Sequence, residues 1–290
     1  MYSYQFAGAS VLVGCLATAC LSSSDGSSGT TGQAITLKTR INIKDDLSLP
    51  KTNALGWSVT ISKAYLSVGA LYYFAGDPVL SLRALPNSAR QSAIAWLGDF
   101  FIKTAHAHPG HYIEGAAMGQ MLQPTTVDLL GNSLELADGN GVTGLTNSAK
   151  FSWQSPPKGD LASKLNGDVV LTQGTATKGD VTIKFLAMAA DTEVVDGDKK
   201  VEVAGCAFGA NPGEVGVDMT SDGTVTLTLV PSVWFDQVDF AYVAPGASEA
   251  PSPNADGFVD IAGTLAWQGF IRGVKKGTAY EFSYQRQERP

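Results

Sequence analysis

Basic residues are few in this chain, and they gather nowhere. Twenty Lys and Arg stand against 27 Asp and Glu over 290 residues, a net charge of −7 with only 16% of residues charged. Recognition of a phosphate backbone needs a basic stripe or patch, so this composition excludes nucleic acid as a partner. Cysteine is scarcer still: three residues cannot build the disulfide framework that staples small secreted domains. Common catalytic signatures are missing too. There is no GxSxG elbow, P-loop or dinucleotide fingerprint in a strand-to-helix context. HExxH is absent, because Glu114 follows His111 by three residues and no His follows it. The chain is therefore read as a binding protein rather than an enzyme. What it has in quantity is apolar surface, 44% of residues, and glycine, 32 residues. That is too apolar for a disordered chain and fits a Gly-punctuated globular one, of one or two domains by length.

Long hydrophobic runs are also lacking. The first twenty residues, MYSYQFAGASVLVGCLATAC, carry no charge, and the apolar run from Phe6 to Ala19 is short for a bilayer span. It reads as an export signal at 1–20. The segment LSSSDGSSGTTG follows, too small and polar to bury a core, and makes 21–33 a flexible tether. Signal, acceptor Cys, tether and folded domain together resemble a bacterial lipoprotein. Leu12-Val13-Gly14-Cys15 matches the lipobox position by position, whereas Ala17-Thr18-Ala19-Cys20 matches more loosely but abuts the tether, so the lipid anchor is Cys15 or Cys20. The pattern departs from that class in having no Lys or Arg ahead of the apolar run. The resemblance implies a chain anchored by lipid to the bacterial cell envelope, facing the periplasm or the cell surface.

Beyond the tether, apolar residues alternate with period two, which places side chains on opposite faces of a sheet. Ile35, Leu37, Ile41 and Ile43 share one parity, as do Trp57, Val59 and Ile61. The parity then flips to Ala64, Leu66, Val68, Ala70, Tyr72 and Phe74, which predicts a bulge near Lys63. Further runs occur at Ala149, Phe151, Trp153; at Val181, Ile183, Phe185; at Val225, Leu227, Leu229; and at Tyr280, Phe282, Tyr284. Turn signals such as Asn166-Gly167, Lys178-Gly179-Asp180 and Asp222-Gly223 separate them at hairpin spacing. The cadence predicts an all-β fold: one antiparallel β-sandwich domain of Ig-like layout over 34–290.

One region, 87–122, breaks this pattern. NSARQSAIAWLGDFFIKT puts Ile94, Leu97 and Phe101 on one helical stripe behind an Asn or Ser cap, predicting an inserted amphipathic helix that packs on the sandwich. All three histidines of the protein then fall within six residues: His106, His108 and His111, in AHAHPGHY. Short His-rich tracts commonly mark a metal site. In an extended chain His106 and His108 share a face, and Pro109-Gly110 suits the centre of a type II turn that folds His111 back. The expectation is a copper or zinc ion held by these three imidazoles. Glu114, Met118 and Met121 are candidate further ligands; thioethers would favour Cu(I), while two Met at this spacing also suit a core. The H-x-H-x-x-H spacing resembles the metallo-β-lactamase signature, but Gly110 occupies that family's Asp position and no further His exists to complete a hydrolase site. The alternative is a non-catalytic surface or adhesion module whose His loop contacts a protein partner.

Several stretches together resemble the layout of MbnP-type periplasmic copper-binding proteins, over most of 34–190. They are the strand pair Gly56 to Ile61 and Ala64 to Phe74, the VDLL strand Val127 to Leu130, and the KFSW strand Lys150 to Trp153. The resemblance implies an exported, metal-binding β-sandwich with a periplasmic or outer-membrane partner. The four-cysteine pattern of that family is absent here, so no ligand and no modified tryptophan carries over. Elsewhere, Asn254, Asp256 and Asp260 read as a polar turn ahead of a Ca²⁺ loop, lacking the ordered acidic series. Asp236 and Asp239 read as a carboxylate pair or a strand end, and Cys206 as a buried thiol or a disulfide partner for the N-terminal Cys that carries no lipid.

Overall fold

The computed structural model describes residues 32–79, 112–130, 134–196, 199–248 and 250–287. Within them the strands are β1 (Ala34–Ile43), β2 (Lys51–Thr52), β3 (Ser58–Phe74), β4 (Ala117–Met121), β5 (Thr125–Asp128), β6 (Leu134–Glu135), β7 (Gly139–Val142), β8 (Gly144–Thr146), β9 (Ser148–Trp153), β10 (Val170–Lys178), β11 (Val181–Ala189), β12 (Glu202–Gly209), β13 (Val217–Met219), β14 (Gly223–Leu229), β15 (Val259–Asp260) and β16 (Tyr280–Arg286). Two α-helices join them, α1 (Ser232–Phe235) and α2 (Leu265–Val274). The fold is all-β, as the alternation predicts, but its closure differs from the expected sandwich. Pairing runs β1–β14–β16–β12–β9–β3–β4–β7 and returns to β1, a barrel of eight strands. Nor is it purely antiparallel, since β1–β14 and β12–β16 are parallel. The ring closes because β9, at the end of the path, pairs back onto β3 through Val68–Trp153 and Leu71–Phe151, which leaves no barrel strand with a free edge.

Register fixes what lies inside. Leu37 pairs with Gly139, Tyr73 with Gly119 and Ala149, Leu71 with Met121 and Phe151, and Leu227 with Phe282. These residues share the inward face, and Tyr73 sits against Phe208 and Phe282 at centroid distances of 5.3 and 6.1 Å. An eight-stranded barrel is just wide enough to be filled by side chains, and here large rings and small residues alternate to fill it. A Cβ on Gly119 would lie 3.0 Å from Tyr73 Cδ2, and one on Gly141 would lie 2.9 Å from Leu37 Cδ1. Those glycines, poor strand formers by propensity, make room for Tyr73 and Leu37.

Strand β3 is long enough to serve two sheets. Its second half belongs to the barrel. Its first half leaves as a wing, pairing with β10, which pairs with β11, which pairs with β15. The turn out of the barrel uses the bulge expected near Lys63: Gln173 faces Lys63 but Gly174 faces Ile61, so Ser62 is the extra residue. A second irregularity between Val68 and Leu71, at Gly69, was not expected. It shifts the inward parity from Ala70 and Tyr72 to Leu71 and Tyr73. The wing buries its face against the helices, with Phe185 ringed by Phe235 and Phe240 at 5.3 and 4.9 Å. In α2, Ala266, Phe270 and Val274 make one apolar face at four-residue spacing, and Thr264 caps the first turn by accepting from the Trp267 amide. The expected helix at 87–104 lies outside the described residues, as do the expected signal at 1–20 and nearly all of the expected tether at 21–33. Among the described residues no helix is long and apolar enough to cross a membrane.

Candidate functional site

Strands β3 and β4 form an antiparallel hairpin, and residues 80–111 lie in its connection. His106, His108 and His111 are among them, outside the described residues. The described structure gives the place where this connection leaves and rejoins the barrel. The Ala75 amide donates to Ala116 O at 2.9 Å, the Gly76 amide to Glu114 O at 2.8 Å, and the Val79 amide to Gly205 O at 3.1 Å. Both ends of the connection press on Gly205, where a Cβ would lie 2.6 Å from Val79 Cγ2 and 3.2 Å from Tyr112 Cδ2. With φ of +69°, Gly205 also holds a conformation that other residues adopt at a cost. Tyr112 then packs edge-on against Phe74, ring centroids 6.4 Å apart. Its hydroxyl donates to Ser148 Oγ at 2.8 Å, and Ser148 Oγ donates to Gly76 O at 2.5 Å.

At this neck, on the outward face of β9, lies Lys150. Its side chain is only 9% exposed, and its ammonium donates to Glu114 Oε1 and, at 3.1 Å, to Glu202 Oε1. It also stands 5.6 Å from the centre of the Phe74 ring, a cation–π contact. Burial by itself would drive the lysine toward its neutral form, but the hydrogen bonds its ammonium donates to Glu114 and Glu202 outweigh it and raise the Lys150 pKa above the ordinary value. Burial likewise raises the Tyr112 phenol, opposed by its bond with Ser148. Cys206 is inside the barrel, opposite Ala149, and burial pushes its thiol up to about 12. A charged ammonium, a protonated phenol and a protonated thiol supply neither a base nor a nucleophile near neutral pH. The Lys150–Glu114 pair ties the returning end of the connection to β9.

The sequence-predicted residues distribute unevenly around this neck. Glu114 is there, three residues beyond His111, with its carboxylate engaged by Lys150. Met118 and Met121 are 5% and 1% exposed and belong to the core. Met121 faces Leu71 inside the barrel, whereas Met118 sits where the register slips between Tyr73 and Phe74. Cys206 is a free buried thiol. Asp239 accepts from Trp57 Nε1 at 3.0 Å and caps a 3-10 turn, and Asn254 accepts from the amides of Asp256 and Phe258 as a polar turn does. Among the described residues no three His, Cys, Asp or Glu side chains converge to hold a metal ion. Sequence reasoning missed Lys150, Ser148, Glu202 and Gly205. The only available signal was a lysine and a serine on the outward parity of the KFSW strand, which resembles any solvated strand face.

The chain matches no protein-family model, no curated protein and no solved structure. The lipoprotein and MbnP-type resemblances therefore rest on the motifs quoted above.

Proposed function

We propose that this is an exported bacterial lipoprotein, anchored through Cys15 or Cys20, that binds or delivers copper or zinc through His106, His108 and His111. The observation that carries the reading is the confinement of every histidine in the chain to six residues, in a connection whose two ends are fastened side by side on a rigid barrel wall. Such mooring lowers the entropy lost when the segment closes on an ion. The ligand set is the three imidazoles. Glu114 would have to leave Lys150 to join them, and the two thioethers would have to leave the core. The role is binding rather than catalysis, in the periplasm or at the cell surface. Metal ligation needs neutral imidazoles, so occupancy falls as pH drops through about 6.5.

Calorimetry on metal-free protein with Zn²⁺ and with Cu²⁺ tests this. The expected result is one ion bound per chain, with His→Ala at any of the three positions weakening binding at least about tenfold. No heat from the wild-type protein at about pH 7.5, where the imidazoles are neutral, would instead favour the surface module whose loop contacts a protein. The anchor is tested separately by labelled fatty acid, which should enter the wild type and be absent from the Cys15→Ala, Cys20→Ala double variant.

A further inference from the structure

Between β9 and β10 the chain makes a single 3-10 turn, Ala162–Leu165, that packs on β3 and buries Leu165 completely. It then reverses direction over two residues, and the Asp168 amide closes the reversal by donating to Leu165 O at 2.9 Å. Asn166 has φ of +51° and Gly167 φ of +96°, the paired positive angles of a type I′ turn. Such a turn selects Asn and Gly for their backbones, so the fold accounts for the pair. It makes no use of the Asn166 side chain. Both residues are exposed, a Cβ on Gly167 would meet nothing within 4 Å, and among the described residues neither the Asn166 carboxamide nor the Gly167 amide has a hydrogen-bond partner.

Other asparagines lack this combination. Asn53 Nδ2 donates to Phe235 O and Val238 O, Asn147 Nδ2 donates to Ala75 O, and Asn254 Oδ1 accepts from the Asp256 and Phe258 amides. Asn140 is also followed by a glycine, but that glycine, Gly141, is paired on both sides, with Ile35 and with Gly119. We propose that Asn166 is a self-modification site, where the Gly167 nitrogen attacks Asn166 Cγ and closes a succinimide that water opens to aspartate or isoaspartate. The attacking nitrogen gives up its proton to solvent, the Cγ–Nδ2 bond breaks, and Nδ2 leaves as ammonia. Water adding at Cγ restores the main-chain peptide and yields aspartate. Water adding at the Asn166 backbone carbonyl carbon leaves the chain running through Cγ, as isoaspartate. Reaching Cγ requires rotation about the Asn166 Cα–C bond away from ψ of +31°, which opens the Asp168–Leu165 bond and moves no buried side chain. Openings confined to an exposed turn cost little. The product carries one more carboxylate at the root of β10, two residues from Asp168, which already feels Glu193 and Asp260. This site is independent of the histidine-bearing segment.

The test is mass-spectrometric peptide mapping of the folded full chain aged in mildly alkaline heavy-oxygen water, read on the tryptic peptide from Leu165 to Lys178. Each chain converted during ageing takes up one heavy oxygen, which separates it from chains converted later, during digestion in ordinary water. Aspartate and isoaspartate are expected at position 166, forming at least about tenfold faster than at Asn140. Gly167→Ala, whose methyl shields the attacking nitrogen, should slow the conversion at least about fivefold. An Asn166 that stays intact in the folded chain while the urea-unfolded chain converts, equal rates at Asn166 and Asn140, aspartate without isoaspartate, or an unaltered rate in Gly167→Ala would overturn the proposal.

Discussion

Replacing Lys150 by Met keeps the length of the stem and its packing on Phe74 but removes the charge shared by Glu114 and Glu202. Truncating one member of a fully buried ion pair costs about 3–5 kcal/mol, because the other charge is left without compensation. For an exposed pair the cost is about 0–1 kcal/mol. The two halves of this site fall on opposite sides of that divide: Glu202 is 12% exposed and Glu114 is 40% exposed. Stranding Glu202 should dominate, with Glu114 relaxing into solvent, for a net loss of about 2–3 kcal/mol. The sign with pH follows from the raised lysine pKa. The contribution of the ammonium is complete below the ordinary lysine value and is lost only as pH rises through the higher folded value. The deficit of Lys150→Met relative to wild type should therefore be constant from about pH 7 to 9. Urea unfolding measures it, and hydrogen exchange at the Ala75 and Gly76 amides should quicken in the variant because the neck loses its tie at Glu114. Adding Glu202→Gln should restore more than half of the loss. A deficit below about 0.5 kcal/mol, or a double variant no more stable than the single, would refute the assignment of Lys150 as the mooring charge.

Three further outcomes are expected. Between the ordinary thiol value of 9.0 and the folded value of about 12, the folded state holds a proton on Cys206 that the unfolded state has released. This thiol therefore makes stability fall with rising pH by up to about 1.4 kcal/mol per unit, and Cys206→Ala should lessen the slope of urea unfolding stability at about pH 9.5–11 by that share, leaving the part due to the buried Tyr73 and Tyr280 phenols, whose pKa values burial also raises. Gly141→Ala would set a Cβ 2.8 Å from Met118 O and 2.9 Å from Leu37 Cδ1, so a loss of about 1–3 kcal/mol is expected by thermal unfolding, recovered in part by Leu37→Val. Gly205→Ala, strained by its positive φ and by Val79, should cost about 1–3 kcal/mol and loosen exchange at the Val79 amide while leaving the barrel amides of β14 and β16 protected.

Local pattern and global closure were legible to different degrees. Alternation located the inward faces of β1, β9, β14 and β16, because a strand with one buried face writes its period directly into side-chain type. The same logic found the bulge at Ser62, where two apolar runs change parity. It failed at Gly69, since a glycine bulge leaves no apolar residue out of step and Ala70, Tyr72 and Phe74 continue a plausible run. Closure into a barrel depends on the β1–β14 pairing between distant segments with a parallel register. No residue in either strand announces its partner, so a sandwich and a barrel share one alternation pattern. Helix α2 was passed over although Thr264, Ala266, Phe270 and Val274 carry a cap and an i, i+4 stripe, because its ten residues are short and interrupted by two glycines. At the neck, Lys150 looks in sequence like any outward lysine; its burial comes from Glu114, Tyr112 and Glu202, supplied by other parts of the chain.

The pairing of β1 also sets the order in which the molecule can assemble. Leu37 meets Gly139 on one side and Gly223 on the other, and across this second seam Arg40 donates to a threonine 186 residues away. The loop-closure entropy for that seam must be spent before any of its hydrogen bonds form, which places the chain among slow, high-contact-order folders. While the chain emerges, β1 carries two unpaired edges of alternating apolar residues, and β16 arrives only at the end. Fragments ending before Gly223 cannot close the ring and should associate through β1, whereas the full chain stays monodisperse. Among the described strands the pairings make one ring and no smaller one, so β1 holds one edge open until β14 has been made.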